Sequence, residues 1–121
     1  FVAMRGRLSF PLTGRSEVLT GCGDAGLWLK ASRDAVVRAV HAGRVVFAGQ
    51  AATGTTVVVD HGEGYYSVYG NLGRVETKKG DALAERASVG WVLSDGARRS
   101  ELYFELRYGN RVLDAASWLG L

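Results

Sequence analysis

Short runs of apolar residues, separated by glycine and polar turn residues, set the pattern of this chain. The runs are rich in Val, Tyr and Phe, and they occur at residues 36–40, 44–48, 55–59, 65–69, 88–93 and 102–107. β-Branched and aromatic runs bounded by turn residues are typical of strands. The pattern therefore predicts an all-β domain, built as an antiparallel β-sandwich or a partly open barrel.

The segments between these runs give weaker signals. Residues 41–43 and 61–64 contain the His and Gly residues of two predicted hairpin connections. Residues 33–41 also fit one face of a helix, but their β-branched residues favour a strand. The opening residues 1–14 are predicted to be a loop that feeds into the sheet, and residues 115–119 a closing helical turn.

Length, charge and hydrophobicity argue against several classes of protein. The chain has 121 residues, which fits one domain over residues 1–121, with 17 Gly and a single Pro. Its net charge of +3 comes from scattered residues, which argues against a nucleic-acid partner. No apolar run approaches the roughly 20 residues that a membrane span needs. Because the chain opens at Phe1 without an initiator Met, we expect it to be a fragment of a longer protein.

The residues that could carry chemistry form no recognised catalytic pattern. Cys22, His41 and His61 do not lie at metal-ligand spacings from one another, and no Gly-x-Ser-x-Gly motif is present. Glu101 and Glu105 would share one face of a strand, where paired carboxylates can act as acid and base. The nearby residues Arg98, Arg99 and Arg107 favour ion pairing instead. From the residues alone, we predict no catalytic site.

The order of several segments nevertheless matches a known domain over almost the whole chain. These segments are 10–14, 26–32, 37–49, 57–72, 79–81, 101–107 and 118–120. In this order they resemble the LytM domain, also called the M23 peptidase domain. The resemblance implies a LytM-like fold, a duplicated hybrid motif of β-strands.

The resemblance also implies where a zinc site would lie. Active members bind zinc through a His-x-x-x-Asp motif and the second His of a His-x-His strand, and a Tyr-x-His histidine assists. Here the first motif falls on Asp24 and Trp28, the strand on residues 101–103, and the assisting His on Asn71. The N–H of an indole is a donor only and cannot coordinate a metal ion, and Tyr103 is a poor zinc ligand. The resemblance therefore predicts a degenerate domain with no metal, no cofactor and no hydrolase activity.

A groove with a changed lining would remain. Its predicted partner-binding residues are Trp28, Tyr69, Asn71, Glu101, Tyr103 and Arg107. Trp, Tyr and Arg are the residues that dominate binding hot spots. The Leu-Tyr-Phe-Glu strand and the closing Trp-Leu-Gly resemble the degenerate LytM domain of EnvC-type murein hydrolase activators. Activators of this type often carry a bulky aromatic residue before the Gly54 position, where this chain has Thr53.

The resemblance to these activators implies a function. They lie in the periplasm, and their LytM domain follows a long coiled coil. They activate N-acetylmuramoyl-L-alanine amidases during cell division by binding a regulatory helix of the amidase. The groove would accordingly bind an amphipathic helix of an amidase. The sequence leaves two alternative functions open. One is a passive peptidoglycan-binding or envelope-scaffold module, and the other is a residual metallopeptidase that uses Asp24, Glu101 and His61.

Overall fold

The computed structural model describes residues 1–13, 18–19, 26–93 and 100–121 of the chain. It is nearly all-β, which confirms the predicted fold class. The strands are β1 (Val18–Leu19), β2 (Leu27–Ala31), β3 (Val36–Arg38), β4 (Gly43–Ala51), β5 (Gly54–Gly62), β6 (Tyr65–Val75), β7 (Ala82–Leu83), β8 (Ser88–Val92), β9 (Ser100–Tyr108) and β10 (Arg111–Val112). A 3₁₀ turn at Val2–Met4 precedes them, and the predicted closing helical turn is α1 (Ala115–Trp118).

All the strands belong to one antiparallel sheet that does not close into a barrel. Its main order is β1-β2-β9-β6-β5-β4-β7, with β10 added to β9. Strand β6 pairs with β5, β8 and β9, and β3 pairs with β8. The sheet therefore branches at its longest strand, and the branch of β8 and β3 supplies Val37 and Val89 to the same core.

One of the two predicted hairpins is present. Strands β5 and β6 pair with each other, and Glu63 and Gly64 connect them with φ angles of 55° and 88°. Such positive φ angles suit Gly, which is why this tight turn contains one. The prediction for residues 41–43 was wrong, because β3 pairs with β8 whereas β4 pairs with β5 and β7. This segment links two separate strand pairs.

The core lies against one face of the central strands. Val57, Tyr69, Phe104 and Leu106 are fully buried there. The opening segment contributes as predicted, because Leu12 is buried and forms a bridge to β3. In the part of the chain that the structure describes, no helix has the length and apolar character needed to cross a membrane.

Candidate binding groove

The face of the sheet opposite the core carries an open groove of about 320 Å³. Side chains alternate between the two faces of a strand, so every second residue of β9 and β6 turns towards it. Its lining residues come from β4, β5, β6, β9 and the β4–β5 turn: Phe47, Ala51, Ala52, Thr53, Thr56, Val58, Tyr66, Val68, Tyr103, Glu105 and Arg107. The groove is thus an apolar surface with polar groups along one side.

Those polar groups form a connected chain of hydrogen bonds along β9. The Tyr103 hydroxyl donates to Glu105 Oε1 at 2.5 Å, and Arg107 Nε donates to Glu105 Oε2 at 2.5 Å. The Glu105 side chain is 7% exposed, so its charge would be costly without the Arg107 guanidinium beside it. The hydrogen bond to Glu105 in turn raises the pKa of Arg107. The network fixes these three side chains.

Gly26 makes room for the start of this network. Its backbone N–H donates to the Tyr103 hydroxyl at 3.1 Å. A Cβ atom at Gly26 would lie 2.8 Å from that hydroxyl and 2.5 Å from the carbonyl oxygen of Phe104. Only glycine permits this close approach. The Tyr103 hydroxyl therefore has both a donor and an acceptor, and little freedom to move.

Four of the predicted groove residues lie on the groove face. Tyr103 and Arg107 line the groove itself. Trp28 lies opposite Tyr103 on β2, and the two ring centroids are 5.2 Å apart. Glu101 lies two residues before Tyr103 on β9, where its register partner is Lys30. The predicted pairing of Arg107 with a nearby carboxylate is confirmed, whereas Arg98 and Arg99 lie outside the described residues.

Tyr69 was wrongly assigned to the groove. Its register partner on β9 is Phe104, so it shares the core face with that residue and is 0% exposed. Its hydroxyl accepts a hydrogen bond from Val40 N–H at 3.1 Å and is hydrogen-bonded to Ser67 Oγ at 2.8 Å. Burial raises the pKa of Tyr69 to about 12. Tyr69 belongs to the core.

Asn71 acts at the end of the groove through backbone contacts. Its Nδ2 donates to the carbonyl oxygen of Glu101 at 2.8 Å, and its N–H donates to the carbonyl oxygen of Thr53 at 2.7 Å. Its φ angle is 59°, a conformation that Asn tolerates better than most residues. Asn71 therefore ties β6 to β9 and to the β4–β5 turn, and the groove lining does not include it.

Sequence reasoning missed most of the apolar base of the groove. Phe47, Val58, Tyr66 and Val68 lie there, and Glu105 was considered as an acid–base or ion-pair residue but not as part of the groove lining. The signal was available in the strands themselves. β5 and β6 carry apolar residues on both faces, whereas a strand with one solvated face usually alternates apolar and polar residues. A contiguous apolar patch on an outer face is typical of interaction surfaces.

Of the residues of the metallopeptidase alternative, the structure describes His61 and Glu101, which lie on opposite faces of the sheet. His61 contacts the carbonyl oxygen of Ala42 at 2.8 Å and Ser67 Oγ at 2.7 Å, which places its ring on the core side of the sheet. Glu101 lies on the groove face, and Asp24 and Cys22 lie outside the described residues. Among residues 1–13, 18–19, 26–93 and 100–121, no three His, Cys, Asp or Glu residues cluster in a way that could hold a metal.

Comparison with known proteins gives the family. The sequence profile of peptidase family M23 matches residues 23–115, which is most of the chain. The chain belongs to peptidase family M23. A crystal structure of a peptidase M23 protein from Pseudomonas aeruginosa superposes with a TM-score of 0.82 at 24% identity, covering 93% of this chain and 50% of that one. The resemblance to the LytM/M23 domain is thereby confirmed.

Two relatives of this M23 domain have informative names. The murein hydrolase activator EnvC of Escherichia coli K12 is 33% identical over 97 residues, which cover 78% of this chain and 23% of EnvC. The lipoprotein NlpD/LppB homolog of P. aeruginosa is 32% identical over 85 residues, which cover 69% of this chain and 29% of that protein. The chain thus spans less than a third of the length of either relative.

Proposed function

We propose that this M23 domain is a non-catalytic activator of an N-acetylmuramoyl-L-alanine amidase during cell division. The observation that carries the proposal is the network of Tyr103, Glu105 and Arg107. At a position where active members of the family hold zinc, this chain has a tyrosine whose hydroxyl is engaged by Glu105 and Gly26. The kinship with the activator EnvC supports the same conclusion.

The groove suits the apolar face of an amphipathic helix, which we propose is the regulatory helix of the amidase. Phe47, Val58 and Val68 supply an apolar base, and Phe47 is 39% exposed. The Arg107 side chain is 42% exposed at the side of the groove, within reach of a polar residue of the helix. Helix-in-groove binding combines such apolar anchors with polar contacts at the rim.

In this proposal the domain contributes binding energy and the amidase performs the hydrolysis. A groove that holds the regulatory helix favours the amidase conformation in which that helix no longer blocks the active site. The ligand then shifts an existing equilibrium by its preference for one conformation. The partner acts on the cell wall, so we place the domain in the periplasm. The lipoprotein name of one relative is consistent with an envelope location.

Release of dye from labelled peptidoglycan tests the proposal, using an amidase from the same organism with and without this chain. The chain should accelerate release, and Phe47→Ala should reduce the acceleration about tenfold, because truncating a hot-spot side chain costs about 1–2 kcal/mol or more. Tyr108→Ala is the matched control, since Tyr108 is an exposed aromatic residue outside the groove. Equal rates with and without the chain would contradict the proposal.

The same preparation distinguishes the alternative of a passive wall-binding module. Purified sacculi are incubated with the chain in the absence of amidase and then sedimented. An activator that works through the groove should remain mostly in the supernatant, and Phe47→Ala should not change that distribution. Tight sedimentation of the chain, together with no effect on the amidase, would favour the wall-binding module instead.

A further inference from the structure

A second concave surface lies apart from the groove and shares no lining residue with it. The opening segment, β3 and the turn between β7 and β8 line an open cavity of about 580 Å³. A volume of this size is typical of small-molecule sites. We call it the arginine pocket, after the residues that give it its character: Arg7, Ser9, Phe10, Arg38, Glu85 and Arg86.

Hydrogen bonds hold one wall of the arginine pocket in place. The N–H of Arg86 donates to the carbonyl oxygen of Ala39 at 2.8 Å, and Arg38 Nη1 donates to the carbonyl oxygen of Arg86 at 3.1 Å. Arg86 Nε donates to Ser9 Oγ at 3.3 Å, and the Ser9 hydroxyl donates to Glu85. Ser9 is 8% exposed, whereas its partners Glu85 and Arg86 are exposed at the surface.

The backbone at this wall is held in an uncommon conformation. Arg86 has a φ angle of 69°, in the left-handed region that non-glycine residues seldom adopt. Such conformations persist where the surrounding contacts fix them, and they concentrate at functional sites. Here the bonds from Arg86 N–H and to its carbonyl oxygen fix the turn. The conformation directs the Arg86 side chain to Ser9.

Among the described residues, those that line the arginine pocket carry more positive than negative charge. Arg7, Arg38 and Arg86 bring three guanidinium groups to one concavity, and Glu85 is the carboxylate in its lining. Within the described part of the chain, none of these three arginines forms an ion pair, and Glu85 is engaged by the Ser9 hydroxyl. An anion in this concavity would be attracted to these guanidinium groups.

We propose that the arginine pocket binds an organic carboxylate. The planar fork of a guanidinium group matches the two oxygens of a carboxylate. Glu85 stays at the site, so a singly charged ligand meets less repulsion than a doubly charged phosphate. The half-buried Phe10 lines the same cavity and offers an apolar surface for the carbon chain of the ligand. This site is independent of the groove and of the function proposed for it.

Calorimetric titration of the chain with N-acetyl-leucine tests this proposal, with neutral N-acetyl-leucinamide as the matched control ligand. The acid should bind about tenfold more tightly than the amide, because a charge-assisted hydrogen bond contributes about 1.5–3 kcal/mol. Its affinity should fall as salt is added. Equal binding of acid and amide, or no binding of the acid, would overturn the proposal. Inorganic phosphate that binds as tightly as the acid would overturn the assignment to an organic carboxylate.

Substitutions locate the site. Arg7→Gln is the first variant, because Arg7 is exposed and its removal should leave the fold intact. This variant should bind the acid several-fold more weakly than the parent chain, and Arg38→Gln should do the same. Arg33→Gln, an exposed arginine outside the pocket, should bind the acid like the parent chain. If Arg7→Gln and Arg38→Gln both leave the affinity unchanged while their thermal unfolding matches that of the parent, the proposed site is wrong.

Discussion

The two faces of β9 show how one strand serves two purposes. On one face, Leu102, Phe104 and Leu106 are fully buried against other parts of the chain. On the opposite face, Tyr103, Glu105 and Arg107 bond mainly to one another along the strand. The first face packs into the core, whereas on the second Tyr103 and Glu105 are buried beside the groove and Arg107 is partly exposed. Stability and partner binding should therefore separate at alternate residues of β9.

Tyr69 and Tyr103 make the same comparison for a single residue type. Both are buried, at 0% and 3% exposure, and both hydroxyls are hydrogen-bonded. Tyr69 contacts the backbone of a neighbouring segment and the core, whereas Tyr103 contacts a carboxylate that borders the groove. Burial alone thus does not distinguish a core side chain from one that supports a binding surface. The partners of its polar atom do.

The largest expected effect is on the core face. Phe104→Ala should lower the free energy of unfolding by about 3–5 kcal/mol, because it removes buried contacts and leaves a cavity. Urea denaturation followed by circular dichroism measures the change. A loss below about 1 kcal/mol would show that this face is not packed as described.

Breaking the network on the groove face should cost less. Glu105→Ala leaves the Tyr103 hydroxyl and the Arg107 guanidinium without their shared acceptor. Removing one partner of a fully buried ion pair costs about 3–5 kcal/mol, but Arg107 is partly exposed, so we expect about 1–2 kcal/mol. Glu63→Ala, in the exposed β5–β6 turn, is the control. If the two variants unfold at the same urea concentration, the network contributes no stability.

A smaller effect separates the two tyrosines. Tyr69→Phe leaves the Val40 N–H without its acceptor and should lower stability by about 1 kcal/mol. Binding of the amidase helix should stay the same, because Tyr69 lies on the core face. Fluorescence titration of a labelled helix peptide measures the affinity. A clear loss of affinity at parental stability would return Tyr69 to the groove.

The smallest expected effect is on how the folding stability depends on pH, through a histidine on the core side of the sheet. Burial lowers the pKa of His61 from its usual 6.5, so the folded chain favours the neutral ring. The unfolded chain binds the proton more readily than the folded chain does. The contribution of neutral His61 to folding stability is therefore fully present above pH 6.5, and it is lost as pH falls through the lowered pKa. One proton gives a slope of at most about 1.4 kcal/mol per pH unit. His61→Gln should flatten the stability curve below pH 6.5, and an unchanged slope would contradict this.

The sequence predicted the strands and the family better than it predicted the faces. The runs of Val and Tyr that form β5 and β6 were predicted correctly, because strand-forming composition can be read from each segment alone. Which face Tyr69 occupies depends on register, and the pairing of β5 with β6 shifts between Thr55 and Val57 and again between Asp60 and Gly62. Such irregularities reverse the alternation of side chains. The alternation of side chains between the two faces along one strand therefore does not tell which side chains of the neighbouring strand share a face with them.

The ion pair of Arg107 illustrates the opposite case. Glu105 and Arg107 are two residues apart on one strand, so they share a face whatever the register of the sheet. Their pairing was therefore predictable from the sequence. Phe47 lines the groove together with residues of β5, β6 and β9, and this placement depends on four strands meeting rather than on any one segment.

We expect the partner to cover the groove face and to leave the core face untouched. The most direct measurement is nuclear magnetic resonance of the isotope-labelled chain, titrated with a peptide of the amidase regulatory helix. We expect the largest amide shifts around Phe47, Val58, Val68 and Glu105. Shifts confined to the turn of Tyr108 to Arg111, or no shifts at all, would contradict the account.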